Sequence, residues 1–250
     1  MNDDDLFKLP RLYIDAPIQK DRVVPLSADQ AHYFKTVLRR QDGDNVRIFN
    51  GRDGEFLCVL QEMTKKGGTA FAERQTREQP ADSSAVHLFF APIKKSRMDW
   101  LVEKAIELGA TDLHPVVTQN TEVRELNTKR LMQQMQEAAE QCERLDLPVL
   151  HDLIKLNTLA AQAPKDTVLL AALERGDTQP VTDVIRPGQS IAILIGPEGG
   201  FTAQESTWIQ TQSGWVPVSL GPRILRSETA ACVALTAVML KGRSDNDGNH

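Results

Sequence analysis

Two short motifs near the C-terminus carry residue types that can bind a ligand through the main chain. Residues 191–200 read IAILIGPEGG, and residues 218–231 read VSLGPRILRSETAA. Each is an apolar run that stops at Gly-Pro, where glycine permits close approach of a ligand and proline stiffens the turn. Because ligands of open α/β sheets bind beyond the carboxyl ends of strands, the two turns together predict a pocket.

The second motif also places Arg223, Arg226 and Glu228 within six residues. A guanidinium is a permanently charged planar donor that suits a developing anion, and a carboxylate can act as a base. A tight strand-to-helix turn explains either Gly-Pro alone. Glu228 is also explained as an acidic residue in the first turn of a helix that begins at Ser227. The clustering of charge beside the glycines favours a functional site.

The familiar nucleotide and metal motifs do not match. Neither glycine motif has the pattern GxGxxG or GxxxxGK[ST]. The three cysteines, Cys58, Cys142 and Cys232, include no CxxC pair, and the five histidines include no HExxH motif. We therefore expect no metal site and no disulfide framework, and this cysteine usage is typical of a reducing cytoplasm.

Both motifs resemble those of the RsmE family, which are bacterial methyltransferases of the SPOUT superfamily. The resemblance extends to residues 94–109 (KKSRMDWLVEKAIELG) and 137–144 (EAAEQCER), and it covers about residues 10–242. It implies an enzyme that uses S-adenosylmethionine to methylate N3 of a uridine in 16S ribosomal RNA. It also implies an α/β fold, with a C-terminal SPOUT-type trefoil-knotted parallel-sheet domain, a small N-terminal PUA-like β-barrel and a homodimer.

The resemblance implies that the loops of the knot hold the cofactor, mainly through main-chain groups. The expected cofactor-binding residues are Leu173, Glu174, Ile195, Gly196, Gly199, Gly200, Leu220, Gly221, Ile224, Leu225, Thr229 and Ala230.

The implied reaction sets the catalytic candidates. Uridine N3 must lose its proton, so a cation should stabilise the developing anion or a base should take the proton. Neither motif contains a histidine. Arg226 and Arg223 are therefore the candidate cations, and Glu228 and Glu198 are candidate bases. The sulfonium methyl is already activated, so positioning should carry most of the catalysis.

Basic residues that could contact RNA occur in small clusters, and the formal net charge of the chain is −5. Such clusters are often only solvated faces, but a local patch can bind RNA within an acidic protein. Relatives of the family often have an arginine in the stretch that corresponds to Thr118–Glu122, and this sequence has none there. Arg124 is the candidate to take the place of that arginine in RNA binding. The other candidates are Lys35, Arg39, Arg40, Lys94, Lys95, Arg97 and Arg144.

The order of predicted strands, helices and polar segments along the chain indicates two domains. Strand signals at 11–14, 45–49, 55–61 and 69–74 surround one predicted helix at 28–38, and a polar stretch at 79–84 indicates a boundary. We assign residues 1–80 to the PUA-like domain, residues 84–243 to the methyltransferase domain and residues 244–250 to a disordered tail.

From Val86 onward strands and helices alternate, which predicts a mostly parallel sheet covered by helices. The expected strands are 86–92, 113–117, 167–173, 191–195 and 216–220, and the expected helices are 98–108, 128–144 with Asn127 as its N-cap, and two that begin at Ala203 and Ser227.

Three functions remain open from sequence: methylation of 16S ribosomal RNA, methylation of a tRNA base or a ribose 2′-hydroxyl, and a non-catalytic RNA-binding role in ribosome assembly. The intact segment Arg226–Ala230 argues against the last, because a silent binder needs no cofactor loop. The longest apolar run, Ala230–Leu240, is too short to span a bilayer, and the acidic start does not resemble a signal peptide. We expect a cytoplasmic protein that acts on 16S ribosomal RNA, with no membrane partner.

Overall fold

A computed structural model describes residues 3–81, 84–162 and 164–241. The chain divides into two compact units. The first contains residues up to Asp82 together with Ala139–Leu147, and the second contains Ser83–Ala138 and the residues from Pro148 onward. The segment Ala139–Leu147 is one that the sequence-based division did not assign to the N-terminal domain. The predicted disordered tail, residues 244–250, lies outside the described residues.

The first unit is built on a five-stranded sheet. Its strands are β1 (Arg11–Tyr13), β2 (Arg22–Leu26), β3 (Asn45–Phe49), β4 (Glu55–Thr64) and β5 (Gly67–Arg77), and its helices are α1 (Asp3–Phe7) and α2 (Ala28–His32). The strand order is β1-β3-β4-β5-β2, in which β1 and β3 are parallel and the other neighbours are antiparallel. Apolar residues from all five strands and α2 form one core.

Several local features of this unit differ from the sequence-based expectation, and one is the helix α1, which was not expected. The predicted helix 28–38 is an α-helix only to His32 and then a π-helix over Tyr33–Val37, where the Leu38 N–H donates to the Tyr33 carbonyl at 3.0 Å. Strand β2 is not among the expected strands, and it contains Pro25, a residue that is unfavourable inside a sheet because it has no N–H to donate. The structure accommodates this proline because β2 is an edge strand.

Buried charge explains why Ala139–Leu147 belongs to the first unit. The Arg11 guanidinium contacts Glu55 at 2.6 Å and also donates to main-chain carbonyls of that segment. Arg47 contacts Glu143 of the same segment at 2.9 Å. Because a buried charge is costly without partners, these contacts fix the segment against the sheet.

The second unit contains eight strands and most of the helices. Its strands are β6 (Val86–Phe90), β7 (Asp112–Val117), β8 (Val149–Leu150), β9 (Ile154–Lys155), β10 (Thr167–Ala172), β11 (Gln179–Pro180), β12 (Ser190–Ile195) and β13 (Trp215–Ser219). Its helices are α3 (Lys95–Glu107), α4 (Thr128–Gln141), α5 (Leu159–Gln162), α6 (Val181–Val184), α7 (Ala203–Thr211) and α8 (Ser227–Lys241). The last residues of α4 belong to the segment that is assigned to the first unit.

The strands of the second unit form a parallel sheet in the order β11-β13-β10-β12-β6-β7-β8, with β9 paired to β7. Ile191 to Ile195 are all buried, so β12 is covered on both faces, as is typical of a central parallel strand. Helices α3 and α8 pack against each other, and α8 also contacts β12 and β6. The predicted α/β fold with a parallel sheet is confirmed, and the trefoil knot stays a prediction.

The boundaries of two helices needed correction. Helix α3 begins at Lys95, three residues before the predicted start, and α4 ends at Gln141 rather than Arg144. The predicted N-cap of α4 is confirmed, because Asn127 Oδ1 accepts a hydrogen bond from the Arg130 N–H at 3.0 Å. Among the described residues, no helix is long and apolar enough to cross a membrane.

Candidate functional site

Three loops meet at one edge of the parallel sheet. They follow the carboxyl ends of β10, β12 and β13, which are neighbours in the order β13-β10-β12. With the first turn of α8 these loops enclose a cavity of about 600 Å³. The cavity therefore lies where the two Gly-Pro motifs predicted a pocket, and the loop that begins at Leu173 forms its third wall.

Most of the residues expected to bind the cofactor line this cavity. They are Leu173, Glu174, Ile195, Gly196, Gly199, Gly200, Leu220, Gly221, Ile224, Leu225 and Ala230. Thr229 is not among the lining residues, whereas Ser227 and Ala230 are. Residues three apart share a face of an α-helix, so a residue between them points elsewhere.

Phe201 lines the cavity and was not predicted from sequence. A Cβ atom added at Gly196 would lie 2.9 Å from the Phe201 ring, so the glycine is needed for the ring to pack against the loop. Gly200 needs its glycine for another reason, because its φ of +67° is one that side chains rarely adopt. A phenylalanine directly after Gly-Gly is the signal that could have identified this contact.

The loop after β7 fixes the glycine loop of the cavity. The Asn120 side-chain amide donates to the carbonyls of Gly199, at 3.1 Å, and Gly200, at 3.0 Å. The neighbouring Gln119 N–H donates to the Glu205 carboxylate at 2.7 Å, and Glu205 also completes the capping box of α7. Sequence reasoning assigned no role to Asn120, because these partners are about 80 residues away.

A second tie joins the loop after β12 to α8. Ser227 is buried, and its hydroxyl donates to the Gly196 carbonyl at 2.7 Å. The start of α8 is fixed by its own main chain, because the Ala230 N–H donates to the Arg226 carbonyl at 2.8 Å. The two Gly-Pro motifs are thus connected directly by a buried hydrogen bond.

The three candidate catalytic residues occupy different positions. Arg223 is exposed and lines the cavity, whereas Arg226 is exposed and lies outside the lining set, directly after the lining residue Leu225. Neither guanidinium has an ion pair or hydrogen bond within the part of the chain that the structure describes. Glu228 is buried and does not line the cavity.

Arg97 of α3 faces two of the candidate bases. Its Nη1 donates to Glu198 Oε1 at 2.8 Å, and its Nε lies 3.8 Å from Glu228 Oε1. The other oxygen of Glu228 is buried and has no hydrogen-bond partner among the described residues. The structure therefore brings Arg97, expected to bind RNA, into contact with acidic residues of both glycine motifs.

The remaining basic candidates of the second unit are exposed. Lys94 pairs with Glu122 at 3.1 Å, and both side chains are mostly exposed, so the pair contributes little to stability. Lys95 and Arg124 are also exposed.

The candidates of the first unit have mixed environments. Arg144 contacts Asp146 at 2.9 Å, and the Lys35 ammonium donates to the Met63 carbonyl at 3.2 Å. Arg39 is exposed, and Arg40 is half-buried with its Nε lacking a partner in the described part of the chain.

Family models and curated relatives match nearly the whole chain. A model described as an RNA methyltransferase domain matches residues 80–239, and one described as an RNA methyltransferase PUA domain matches residues 26–71. The ribosomal RNA small subunit methyltransferase E of Rickettsia conorii is 33% identical over 94% of this chain and 97% of its own length. The protein of the same name from Bacillus subtilis is 28% identical over 92% of this chain and 96% of its own.

Solved structures give the same result. A methyltransferase from Legionella pneumophila, in complex with bound S-adenosylmethionine, superposes with a TM-score of 0.86 at 27% identity and covers 94% of this chain and 98% of its own. A ribosomal RNA small subunit methyltransferase E from Neisseria gonorrhoeae, also bound to S-adenosylmethionine, has a TM-score of 0.85 at 26% identity and covers 93% and 97%. This chain belongs to the ribosomal RNA small subunit methyltransferase E family.

Proposed function

We propose that this protein transfers the methyl group of S-adenosylmethionine to N3 of a uridine in 16S ribosomal RNA. The observation that carries the proposal is the cavity formed by the loops after β10, β12 and β13, in a chain that belongs to this family. Relatives of the same fold hold S-adenosylmethionine, and the curated relatives are named for the RNA of the small ribosomal subunit.

The cavity has the size and chemistry that S-adenosylmethionine requires. Its volume of about 600 Å³ falls within the roughly 300–1,000 Å³ of small-molecule sites. Leu220, Ile224 and Leu225 supply apolar surface for an adenine ring, and the lining glycines have no side chains that would shield their main-chain groups from its edge. Glu174 places a carboxylate at the wall, which suits a cofactor that carries a positive sulfonium.

In this mechanism the cofactor supplies an activated methyl group, and the protein positions the uridine and stabilises its deprotonated ring. Arg226 suits the second task, because its exposed guanidinium follows the cavity wall at Leu225 and lacks an acidic partner among the described residues. Arg223, which lines the cavity, is the second candidate. Glu228 is less suited as a base, since Arg97 lies beside it and it does not reach the cavity lining.

RNA docking is assigned to exposed basic residues of both units. In the second unit Lys95 and Arg124 are exposed, whereas Lys94 and Arg97 contact carboxylates. In the first unit Arg39 is exposed. The PUA domain match supports a role of the first unit in RNA binding.

We also propose that the enzyme is a cytoplasmic homodimer that works on the small subunit or a late precursor of it. Large apolar side chains of α3 and α8 are exposed, with Trp100 at 41%, Val233 at 37% and Leu240 at 71%. Val233 and Leu240 are seven residues apart and therefore share one face of α8, and an exposed apolar helix face is typical of an interface. The three cysteines carry no disulfide, which is compatible with a reducing compartment.

Mass spectrometry of 16S ribosomal RNA from a strain that lacks this gene tests the substrate assignment. We expect N3-methyluridine to disappear, to return with the wild-type gene and to stay absent with a gene encoding Arg226→Ala. Loss of a tRNA mark or of a ribose 2′-O-methyl group, with N3-methyluridine intact, would overturn the assignment in favour of another RNA target. No change in any RNA mark would favour a non-catalytic assembly factor.

A further inference from the structure

Three of the five histidines of the chain cluster at the other end of the parallel sheet. His87 on β6 and Asp112 on β7 are register partners, and His114 lies two residues further along β7. The His151 N–H donates to the Leu113 carbonyl, which places the third histidine beside the same strands. His87 is the second residue of β6 and Asp112 is the first of β7, so the cluster lies near the amino ends of these strands, and none of its residues lines the cofactor cavity.

The ligand atoms of this cluster have the spacing of a coordination shell. His87 Nδ1 lies 3.1 Å from His114 Nε2 and 3.4 Å from Asp112 Oδ2. All three atoms lie within 4.8 Å of one another. Two ligands bound at about 2.1 Å to a tetrahedral ion are about 3.4 Å apart, so one ion between these atoms requires only small movements.

The side-chain types also suit a metal ion of the zinc class. Imidazole nitrogens and carboxylate oxygens are ligands that zinc takes in proteins. His114 is buried, and His87 and Asp112 are half-buried. Two imidazoles and one carboxylate leave one position of a tetrahedral ion open.

The rings are already held in place. His114 is stacked between Phe89, at 4.1 Å between centroids, and His151, at 3.8 Å. His151 Nε2 lies 2.7 Å from Asp112 Oδ1, the oxygen that faces away from His87. Outer hydrogen bonds of this kind orient the ligands of metal sites, and a neutral ring can keep its proton on the nitrogen that does not face the ion.

We propose that His87 Nδ1, His114 Nε2 and Asp112 Oδ2 bind one divalent transition-metal ion of the zinc class, with a water molecule as the fourth ligand. Thr111 donates to Asp112 Oδ2 at 2.8 Å, and a carboxylate oxygen can accept this bond and still ligate. His87 and Asp112 are partly exposed, at 13% and 17% of their side chains, so an ion can enter. The ion joins β6 to β7 and stabilises the second unit.

Sequence motifs did not reveal the site, because its ligands come from two strands about 25 residues apart rather than from one helix or one CxxC turn. The expectation that each histidine is an ordinary surface or core residue is therefore the alternative that the experiment must exclude. In that alternative the cluster is a hydrogen-bonded network only, and a metal ion adds nothing to it.

Zinc binding is measured on the full-length chain, purified without a histidine tag and treated with a chelator. We expect one zinc ion per chain in a competition titration and a rise in melting temperature of about 5 °C at 100-fold excess over Kd. Cobalt(II) should give the intense visible absorption of a four-coordinate site. A stoichiometry of zero, or cobalt spectra of the hydrated ion, would overturn the proposal without any variant.

Variants locate the ligands. His87→Asn and Asp112→Asn should each weaken zinc binding by roughly 100-fold or more, and His151→Gln by about 10- to 100-fold. His32→Asn is the matched control, since His32 is an exposed histidine whose ring contacts Thr36 in the first unit. S-adenosylmethionine binding by each variant verifies folding of the second unit. Zinc affinity that is equal in wild type and Asp112→Asn, or that falls only in His32→Asn, would contradict the assignment.

Discussion

Asn120 shows how one side chain outside the glycine motifs determines their geometry. Its amide holds two consecutive carbonyls of the loop, and its Cβ would lie 3.2 Å from a Cβ added at Gly199. A larger residue at Gly199 would therefore push against Asn120 even when no ligand is bound. The space at Gly199 is therefore limited by Asn120 of the protein itself and not only by the approach of the cofactor.

Asn120→Ala should weaken S-adenosylmethionine binding by about 10-fold, since two hydrogen bonds worth roughly 0.5–1.5 kcal/mol each would be lost. Gln119→Ala is a matched control, because Gln119 holds Glu205 through its main-chain N–H, which the substitution retains. Calorimetry measures both affinities. Equal affinity in wild type and Asn120→Ala would show that the loop keeps its shape without this contact.

Arg226 carries the catalytic part of the proposal. Arg226→Ala and Arg226→Lys should lower the single-turnover methylation rate, the former by about 10²–10³, because the planar cation that stabilises the deprotonated uridine is lost. Cofactor affinity and melting temperature should remain close to wild type. Arg186→Ala provides the control, since Arg186 is an exposed arginine that precedes the amino end of β12.

A fully active Arg226→Ala enzyme would contradict this role and move the assignment to Arg223, whose guanidinium lines the cavity. A joint fall of rate, cofactor affinity and melting temperature would instead indicate that Arg226 only holds the loop.

At the scale of the elements, the loops after the strands depend on packing between neighbours. Gly196→Ala would place a methyl group 2.9 Å from the Phe201 ring. Displacing that ring should destabilise the second unit by about 1–3 kcal/mol, as overpacking does, and should weaken cofactor binding. Urea unfolding and calorimetry measure the two effects.

The double variant Gly196→Ala with Phe201→Leu is the control for this clash, because a smaller side chain leaves room for the methyl group. We expect it to bind the cofactor more tightly than Gly196→Ala alone. If the second substitution only adds to the loss, the clash with Phe201 is not the cause.

The long regular elements could be predicted from sequence because their patterns are local. The apolar run of β12 and the apolar spacing of α3 each require only neighbouring residues. Strand β2, which contains Pro25, was not among the expected strands, and the π-helix at Tyr33–Val37 has no simple pattern.

In the candidate site, as in the fold, local features could be predicted from sequence and long-range contacts could not. Its glycine loops could be placed because Gly-Pro after a β-branched run is a local signal. The contacts of Asn120 and Arg97 could not, since each joins segments about 80 to 100 residues apart. The same reason hid the buried pair of Arg11 and Glu55, which are 44 residues apart.

Because the whole protein is acidic, it must bind RNA, a polyanion, through local clusters of basic residues. The net charge is −5, and Lys94 and Arg97 contact carboxylates. Lys95 is exposed. Lys95→Ala should reduce the slope of log affinity for ribosomal RNA against log salt concentration by roughly 0.7–0.9, the value of one phosphate contact.

Lys165→Ala is the control for this measurement, because Lys165 is exposed and precedes the amino end of β10, away from the cavity. If Lys95→Ala leaves the slope unchanged, Lys95 is a solvated surface residue that makes no phosphate contact. An equal change in both variants would indicate a general effect of charge.

We propose that the cavity holds S-adenosylmethionine for methylation of a uridine at N3. The most direct measurement supplies methyl-labelled S-adenosylmethionine and purified protein to small ribosomal subunits from a strain that lacks the gene, followed by nucleoside analysis. We predict about one labelled methyl group per 16S RNA, all of it in N3-methyluridine, and a much reduced yield with Asn120→Ala at limiting cofactor. Label on a ribose hydroxyl or another base, or no label at saturating cofactor, would contradict the proposed function.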